Sequence, residues 1–485
     1  MSVSRDNLPR SMRYAATSVP AVQAECTLAR FDSTNGVEFK PNGANEIRIR
    51  VKADGFLNAS KHYLYFQVKS DSATAAFVDG DAGCFFDRVT IESNGTQVEQ
   101  IDRYALWNGI RRNYNNDIPN INKLCVESGG GQMSTITGVG AFPAADTSAV
   151  GDAAANATAI TGLVANVDAT NTAFLGATNG LVNSVALSNL GDVIKLNQSR
   201  IYCIQLQSGC LLNTHSKALP DGINELEIVL RLRSSAGALV STAAVNFTIN
   251  APRLYCPVYR IANSEVMSSY NQLASSGISW IGETVKTYVN SMPKTQGPQV
   301  LQLNDRSMSL KALITALRSN APDTKLNYSN TGFFIGDSTG TIKDYLVKIA
   351  GVNYPQSQIL LNTADNAQDI GRCYEESIKS LARPGEKYCN AHVDKAQFIG
   401  KTVNYATANN TGATTSAKGL LCVDLKKFSD SELRMVGLNT ANNAAPSTFE
   451  ITVGAEFATV IDATTFALVE AIWTMDNTGA LRVAM

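Results

Sequence analysis

The sequence predicts an all-β fold in which one β-sandwich is used twice, and three observations carry that prediction. Short runs of alternating apolar and polar residues recur along the chain. Helical periodicity is confined to a few places, and several strand motifs return in the same order in the second half. At 485 residues the chain is also too long for one compact core, so two or more domains are expected.

In chain order the strands begin with NEIRIRVKA (45–53), where Ile47, Ile49 and Val51 define one face. HYLYFQVKS (62–70) alternates in the same way with aromatic residues. In RVTIESNGTQVEQI (88–101), Val89, Ile91, Val98 and Ile101 are the apolar positions and Asn94-Gly95 divides the run. Asn-Gly tolerates the positive φ of a type I′ turn, which predicts a tight hairpin. An Asp-x-Tyr-x-x-Trp run follows, formed by Asp102, Tyr104 and Trp107, at the head of a helix predicted over 102–113. NELEIVLRL (224–232) and AVNFTIN (244–250) are further strands, and SEVMSSYNQLAS (264–275) has helical spacing. GLLCVDL, STFEITV and FALVEAIW complete the set of strands. A third helix is expected over 429–437, where Ser429 and Glu432 form a capping box.

One segment breaks the pattern. From Ser128 to Ile194 there is no Lys or Arg, and Ala, Gly, Thr, Asn and Val dominate. We read it as an ordered excursion from a parent domain, with a milder version at 404–419. The repeat supports this. FFDRVTIESNGTQVEQI (85–101) aligns with IKDYLVKIAGVNYPQSQI (342–359), placing Ile101 and Ile359 258 residues apart. IYCIQLQ and NELEIVL align with LLCVDLK and STFEITV, but Cys203 and Cys422 are only 219 apart. The shortening falls where the first half carries this insertion, whose only charges are Asp146, Asp152, Asp168 and Asp192.

Composition narrows the function. Charges nearly balance, with 41 Lys+Arg against 42 Asp+Glu, and no run of five like charges occurs. A nucleic-acid-binding surface needs a basic excess or stripe, so direct nucleic-acid binding is not expected. No signal peptide and no apolar run of membrane-spanning length is visible, and synthesis in the cytosol is the expectation. The nine cysteines lie mostly in apolar runs and are expected to be reduced, buried thiols.

Catalytic and cofactor chemistry finds little support. His62, His215 and His392 are the only histidines, and His62 is expected to be a solvated or hydrogen-bonded strand residue. Cys389 and His392 form a C-x-x-H without the second such pair that zinc needs. FIGKT (398–402) ends like a phosphate loop but has Lys395 where the first glycine should stand. GDSTGT (336–341) is turn chemistry with no basic helix after it. Arg111-Arg112 and Lys426-Lys427 are isolated pairs, expected to be solvated or at a subunit contact. The sequence therefore predicts no catalytic residue, no metal site and no cofactor.

The stretch CFFDRVTIESNGTQVEQIDRYALWNGI (84–110) resembles a signature of major capsid proteins of the double jelly-roll lineage, which spans adenoviruses and nucleocytoplasmic large DNA viruses. The likeness is strongest to polinton-like and virophage-like capsid proteins. Asn94, Gly95, Asp102, Tyr104 and Trp107 are its signature positions here. NFTINAPRLYCPVYRIANSEV (246–266) is similar to the family's closing strand of the first jelly roll with its exit into a linker helix, and MSLKALITALR (308–318) to an early strand of the second.

The resemblance implies two tandem eight-stranded jelly rolls with a few short helices. It divides the chain into an amino-terminal arm (1–19), a first roll (20–262, with the insertion at 128–194) and a second roll (263–485). It further implies a homotrimer tiling an icosahedral virion, with neighbouring capsomers and penton and minor capsid proteins as partners. Whether a membrane lies beneath the shell is left open. Residues 128–194 are expected to form part of an outward tower or a trimer contact. A two-domain β-sandwich attachment or carbohydrate-binding protein is the alternative, although no calcium-type Asp/Asn string is evident. A glycoside hydrolase would need two carboxylates ~5–10 Å apart.

Overall fold

A computed structural model describes residues 24–52, 54–71, 76–114, 190–194, 199–212, 218–240, 245–319, 342–361, 371–382, 388–389, 393, 398, 418–427, 435–442, 446–457 and 459–485. The 1–19 arm, nearly all of the 128–194 insertion, 404–417, the Ser429–Glu432 box, His215, His392 and Cys125 lie outside the described residues.

Sixteen strands build the frame. In the first half they are β1 (Ala24–Asp32), β2 (Glu46–Val51), β3 (Tyr63–Ser70), β4 (Phe86–Ser93), β5 (Thr96–Asp102), β6 (Ser199–Ile204), β7 (Leu226–Leu232) and β8 (Phe247–Ile261). In the second half they are β9 (Ile278–Met292), β10 (Gly297–Leu303), β11 (Leu310–Ser319), β12 (Ile342–Ile349), β13 (Val352–Leu360), β14 (Leu421–Asp424), β15 (Ser447–Val453) and β16 (Ile461–Met475). Three helices matter here: α1 (Tyr104–Tyr114), α2 (Ser264–Ser275) and α3 (Gly371–Ser380).

These strands form two antiparallel sheets per half. Sheet I runs β1-β8-β3-β6 and sheet II runs β2-β7-β4-β5. Sheet III runs β9-β16-β11-β14 and sheet IV runs β10-β15-β12-β13. Adding eight to each label of the first half therefore reproduces the second, strand for strand. The long connections that return each last strand beside the first make each half a jelly roll. Helices α1 and α3 follow the equivalent strands β5 and β13, and α2 stands between the two halves. Short strands Glu38–Phe39 and Phe56–Leu57 pair with β8, and Leu481–Ala484 pairs with β16. The last residues of the segment without Lys or Arg, Leu190–Ile194, pair with Ala76–Asp79.

Alternation explains most of the strands. In β2, Ile47, Ile49 and Val51 are buried; in β15, Ser447, Phe449, Ile451 and Val453 are. An apolar side chain every second residue keeps one face of each sheet in the core. Phe66 and Phe85 sit with Phe86, Tyr202 and Phe247 in the first core, while Tyr345 stacks on Phe449 in the second.

The hairpin turn has the predicted geometry. Asn94 and Gly95 have φ of 49° and 74°, the positive pair of a type I′ turn. Its echo is Ala350-Gly351 between β12 and β13, with φ of 51° and 80°. A Cβ at Gly95 would meet nothing within 4 Å, so only backbone strain opposes a side chain there. Gly95→Val is therefore expected to lower stability by about 1–2 kcal/mol without preventing folding. A urea midpoint unchanged from the parent would contradict this turn geometry.

Candidate functional site: the seam between the rolls

An assembly of polar and aromatic side chains lies where the two rolls meet. It starts at the end of β5. Asp102 accepts from Arg88 and Gln100, and its carbonyl accepts from Thr287 Oγ1 of β9 at 3.3 Å. Arg103, at φ 52°, turns the chain into α1 and reaches across to Asp462, with a second bond of 2.9 Å to Thr464 Oγ1. Tyr104 is fully buried, and its hydroxyl accepts from the Gln207 backbone N–H at 2.8 Å. Burial pushes that phenol well up.

Trp107, one turn further along α1, donates from Nε1 to the Gln207 carbonyl at 3.0 Å. Its ring lies 5.2 Å from that of Phe466 in β16, and the Arg111 guanidinium sits over it at 5.6 Å. Tyr114 closes the helix by donating to the Lys418 carbonyl of the second roll at 2.7 Å. A helix that begins and ends on buried tyrosines and carries its charges in the last turn thus bridges two sandwiches.

Glu99 anchors the seam from β5. Its buried carboxylate accepts from Ser208 Oγ, from Gly209 N at 2.9 Å, from Cys210 N at 3.2 Å and from Thr284 Oγ1 at 3.0 Å. Burial pushes the carboxyl up, and these donors pull it part of the way back. Gly209 is required for the approach, since a Cβ there would lie 1.8 Å from the Glu283 carbonyl oxygen. The end of the chain also crosses back. Asn224 N donates to the Gly479 carbonyl at 3.1 Å, and Leu481 N to Ser93 Oγ at 2.9 Å.

Beneath the seam lies a buried charge cluster. Glu283 and Glu470 are cross-strand neighbours on β9 and β16, and Lys311 of β11 reaches them at 2.5 Å and 4.0 Å. Lys311 is 2% exposed. Glu470 also accepts from Ser309 Oγ at 2.6 Å and Val436 N at 2.7 Å. Burial alone would push the Glu283 carboxyl up, but the charge and hydrogen bond of Lys311 outweigh it and hold the group low.

The five signature positions thus separate. Asp102, Tyr104 and Trp107 converge on the seam, whereas Asn94 and Gly95 are exposed at a hairpin tip. Sequence reasoning missed Glu99, Arg103, Lys311, Glu283, Glu470 and Phe466. The available signal was a lone charge inside an otherwise apolar strand, as in SLKALITAL and FALVEAIW. Arg111 and Arg112 are engaged within the chain rather than freely solvated: Arg111 covers Trp107 and Arg112 lies 3.6 Å from Asp81. Lys426 Nζ donates to the Lys379 carbonyl at 3.1 Å.

Cys84, Cys210, Cys256, Cys373, Cys389 and Cys422 are buried, whereas Cys26 is exposed and Cys203 partly so. Among the described residues, no group of three or more His, Cys, Asp or Glu side chains could hold a metal ion. Nor is any helix among them long and apolar enough to cross a membrane. The pocket lined by Val51, Gly55, Leu57, Pro220, Ile223 and Leu226 carries no titratable side chain.

His62 is buried and structural. Its Nδ1–H donates to the Ala59 carbonyl, and Nε2 accepts from Leu206 N at 2.9 Å. Burial lowers its pKa from 6.5 to about 4. The folded state therefore binds this proton less tightly than the unfolded chain. His62 contributes stability above pH 6.5 that is lost as pH falls toward about 4, roughly 3 kcal/mol in all. His62→Gln is expected to flatten the acid limb of the stability curve across that window; an unchanged slope would refute this.

No protein-family model matches the chain, and no curated protein matches it. Solved structures do. The PBCV-1 virus capsid superposes with a TM-score of 0.55 at 10% identity, covering 97% of this chain and 99% of that chain. The Faustovirus major capsid protein gives 0.55 at 9% identity, over 95% and 92%. The Sputnik virophage structure gives 0.54 at 11% identity, over 100% and 93%. At such identities the likeness is one of fold, and the fold is the double jelly roll.

Proposed function

We propose that this chain is a major capsid protein, a structural protein whose homotrimers tile an icosahedral virus shell. The observation that carries the reading is the tandem repetition of one jelly roll along nearly the whole length of the solved capsid structures. The seam supports it. Glu99, Arg103, Trp107 and Tyr114 lock two sandwiches into one block, and a building block must hold its shape under the load of its neighbours. Arg103 is paired with Asp462, and the Glu99 carboxylate is held by hydroxyl and backbone donors from both rolls.

On this reading the protein is not an enzyme. Its main partner is itself, as trimer and as neighbouring capsomers, with penton and minor capsid proteins at special positions. It acts in the virion after synthesis in the host cytosol, and it binds no nucleic acid directly. We place the division between the rolls at residues 262 and 263, ahead of α2, with 1–19 as an arm. We also assign the 128–194 insertion to an outward tower or trimer contact.

Electron microscopy of purified assemblies, with size-exclusion chromatography, tests the reading. Trimers that form shells or hexagonal sheets are expected. A stable monomer that binds glycans would instead establish the attachment-protein alternative.

A further inference from the structure

Glu283, Lys311 and Glu470 are arranged for more than an ion pair. An irregularity in the sheet places Lys311. The register of β11 against β16 shifts between Leu310 and Ala312, which pair with Val469 and Leu468. Lys311 is thus the inserted residue of a β-bulge, and such an insertion re-aims a side chain. Here it brings Nζ to 2.5 Å from Glu283 and 4.0 Å from Glu470, the carboxylates that stand opposite each other on β9 and β16. The jelly roll itself does not require this amine. Counting from Ser70 and Ser319, His62 of the first roll stands where Lys311 stands, and its ring bonds to backbone groups.

All three side chains are buried. Val285 and Leu468, the next pair on the same side of β9 and β16, are buried as well. An amine held against a carboxyl in such a site meets two conditions for amide formation. Fixed positions replace a bimolecular encounter. A neutral product also removes one positive and one negative charge from a place where water solvates neither.

The second carboxylate completes the set. Glu470 accepts from Ser309 Oγ at 2.6 Å, from Val436 N at 2.7 Å and from Gly437 N at 3.4 Å, all through Oε2. That anchoring leaves Oε1 as the oxygen turned to Lys311 Nζ. Glu470 is therefore a fixed carboxylate with one oxygen free to carry a proton.

We propose that Lys311 and Glu283 condense to an isopeptide bond, with Glu470 as the proton carrier. The pair folds as ammonium and carboxylate. In its minor form the ammonium proton has crossed the short hydrogen bond to Glu283, leaving a neutral amine beside a neutral carboxylic acid. The Nζ lone pair then attacks Glu283 Cδ and forms the C–N bond. Glu470 Oε1 accepts a proton from the attacking nitrogen and returns it to the departing hydroxyl. The Cδ–O bond breaks, one water leaves, and Glu470 ends as it began. No oxidant and no co-reactant takes part. The charges of Arg111 and Lys426 also act on Glu283, and they stabilise the oxyanion that attack creates on its carboxyl.

The bond ties β9 to β11 across the intervening β16, in the sheet that carries the seam. These strands then cannot separate even when the chain unfolds. The proposal concerns side chains of a single chain, so it stands or falls independently of the capsid reading.

Mass spectrometry of the full chain, denatured before and after prolonged warming of the folded protein, reads the reaction. The folded parent is expected to lose the mass of one water, and parent warmed in urea is not. After trypsin, the peptides ending at Lys286 and Arg318 should appear as one species joined through Glu283 and Lys311, with Lys311 uncleaved. Glu470→Gln keeps the volume and removes the proton carrier, so the cross-link should form about a hundredfold more slowly. Lys311→Arg keeps the positive charge without the amine and should retain its full mass. Circular dichroism confirms that each variant is folded, and the parent measurement decides the proposal if one is not. A folded parent that keeps its full mass, with Lys311 cleaved by trypsin, overturns the proposal. A loss of water that persists in Lys311→Arg places the reaction elsewhere in the chain and overturns it too. Glu470→Gln protein cross-linked at the parent's rate overturns the role given to Glu470.

Discussion

Lys311→Ala is expected to destabilise the protein by about 3–5 kcal/mol near neutral pH, one of the two largest effects of any single substitution considered. Lys311 is buried between Glu283 and Glu470, two carboxylates placed opposite each other by the register of β9 and β16. Removing the ammonium leaves two like charges in a site with little water. Coulomb repulsion and desolvation then act in the same direction. Hydrogen bonds from Ser309 and Val436 continue to hold Glu470, so Glu283 takes most of the penalty.

The pH dependence separates this account from simple loss of packing. In the parent, Lys311 holds Glu283 below its ordinary value of 4.5, so the pair contributes stability above that value which is lost as pH falls through the lowered one. In Lys311→Ala the same carboxyl is raised instead, and the folded state binds its proton more tightly than the unfolded chain does. The variant should therefore recover stability on acidification from about pH 7 to about pH 5, where the parent gains nothing from this group. Urea unfolding at the two pH values measures it. Lys311→Met with Glu283→Gln, which removes the charge problem and keeps the volume, is expected to restore most of the loss. Equal deficits at both pH values would show that packing dominates.

The contrast between β15 and β16 explains how much of the fold could be read in advance. STFEITV alternates because one face meets the core and the other meets solvent, and its bounds match the sequence reading residue for residue. FALVEAIW does not alternate, because β16 is buried on both faces. One side belongs to its own sandwich and the other lies under α1 of the first roll. A chain segment cannot announce which distant element will cover it. The hairpin at Asn94-Gly95 was legible because a type I′ turn is local chemistry. Its counterpart at Ala350-Gly351 was visible only through the repeat, since alanine carries no turn signal of its own.

The seam was hidden for a related reason. Glu99, Thr284 and Gly209 lie far apart in sequence and meet only when two rolls dock. The Asp-x-Tyr-x-x-Trp run was recognisable as the head of a helix. What it packs against needed the structure: Tyr104 holds the chain at Gln207, and Trp107 spans both rolls.

Trp107→Ala accordingly tests whether the two rolls behave as one block. Its indole is buried, fills the space between α1 and β16, and contributes a ring contact to Phe466 and a hydrogen bond to Gln207. Truncation removes apolar area, leaves a cavity that the flanking strands cannot close and frees the Gln207 carbonyl, for a loss of about 3–5 kcal/mol. A tryptophan in the core of one roll would lower the stability of that roll alone. A tryptophan across the seam instead removes the coupling, so thermal unfolding should change from one cooperative transition to two resolved steps. A double-mutant cycle with Phe466→Ala isolates the ring contact, with an expected coupling of about 0.5–1.5 kcal/mol beyond area burial. Tyr345→Phe, inside the second roll, is the control and should keep the single transition. If Trp107→Ala unfolds in one step with no coupling to Phe466, then Arg103, Glu99 and Tyr114 hold the seam, and the aromatic contact is incidental to the rigidity a shell subunit needs.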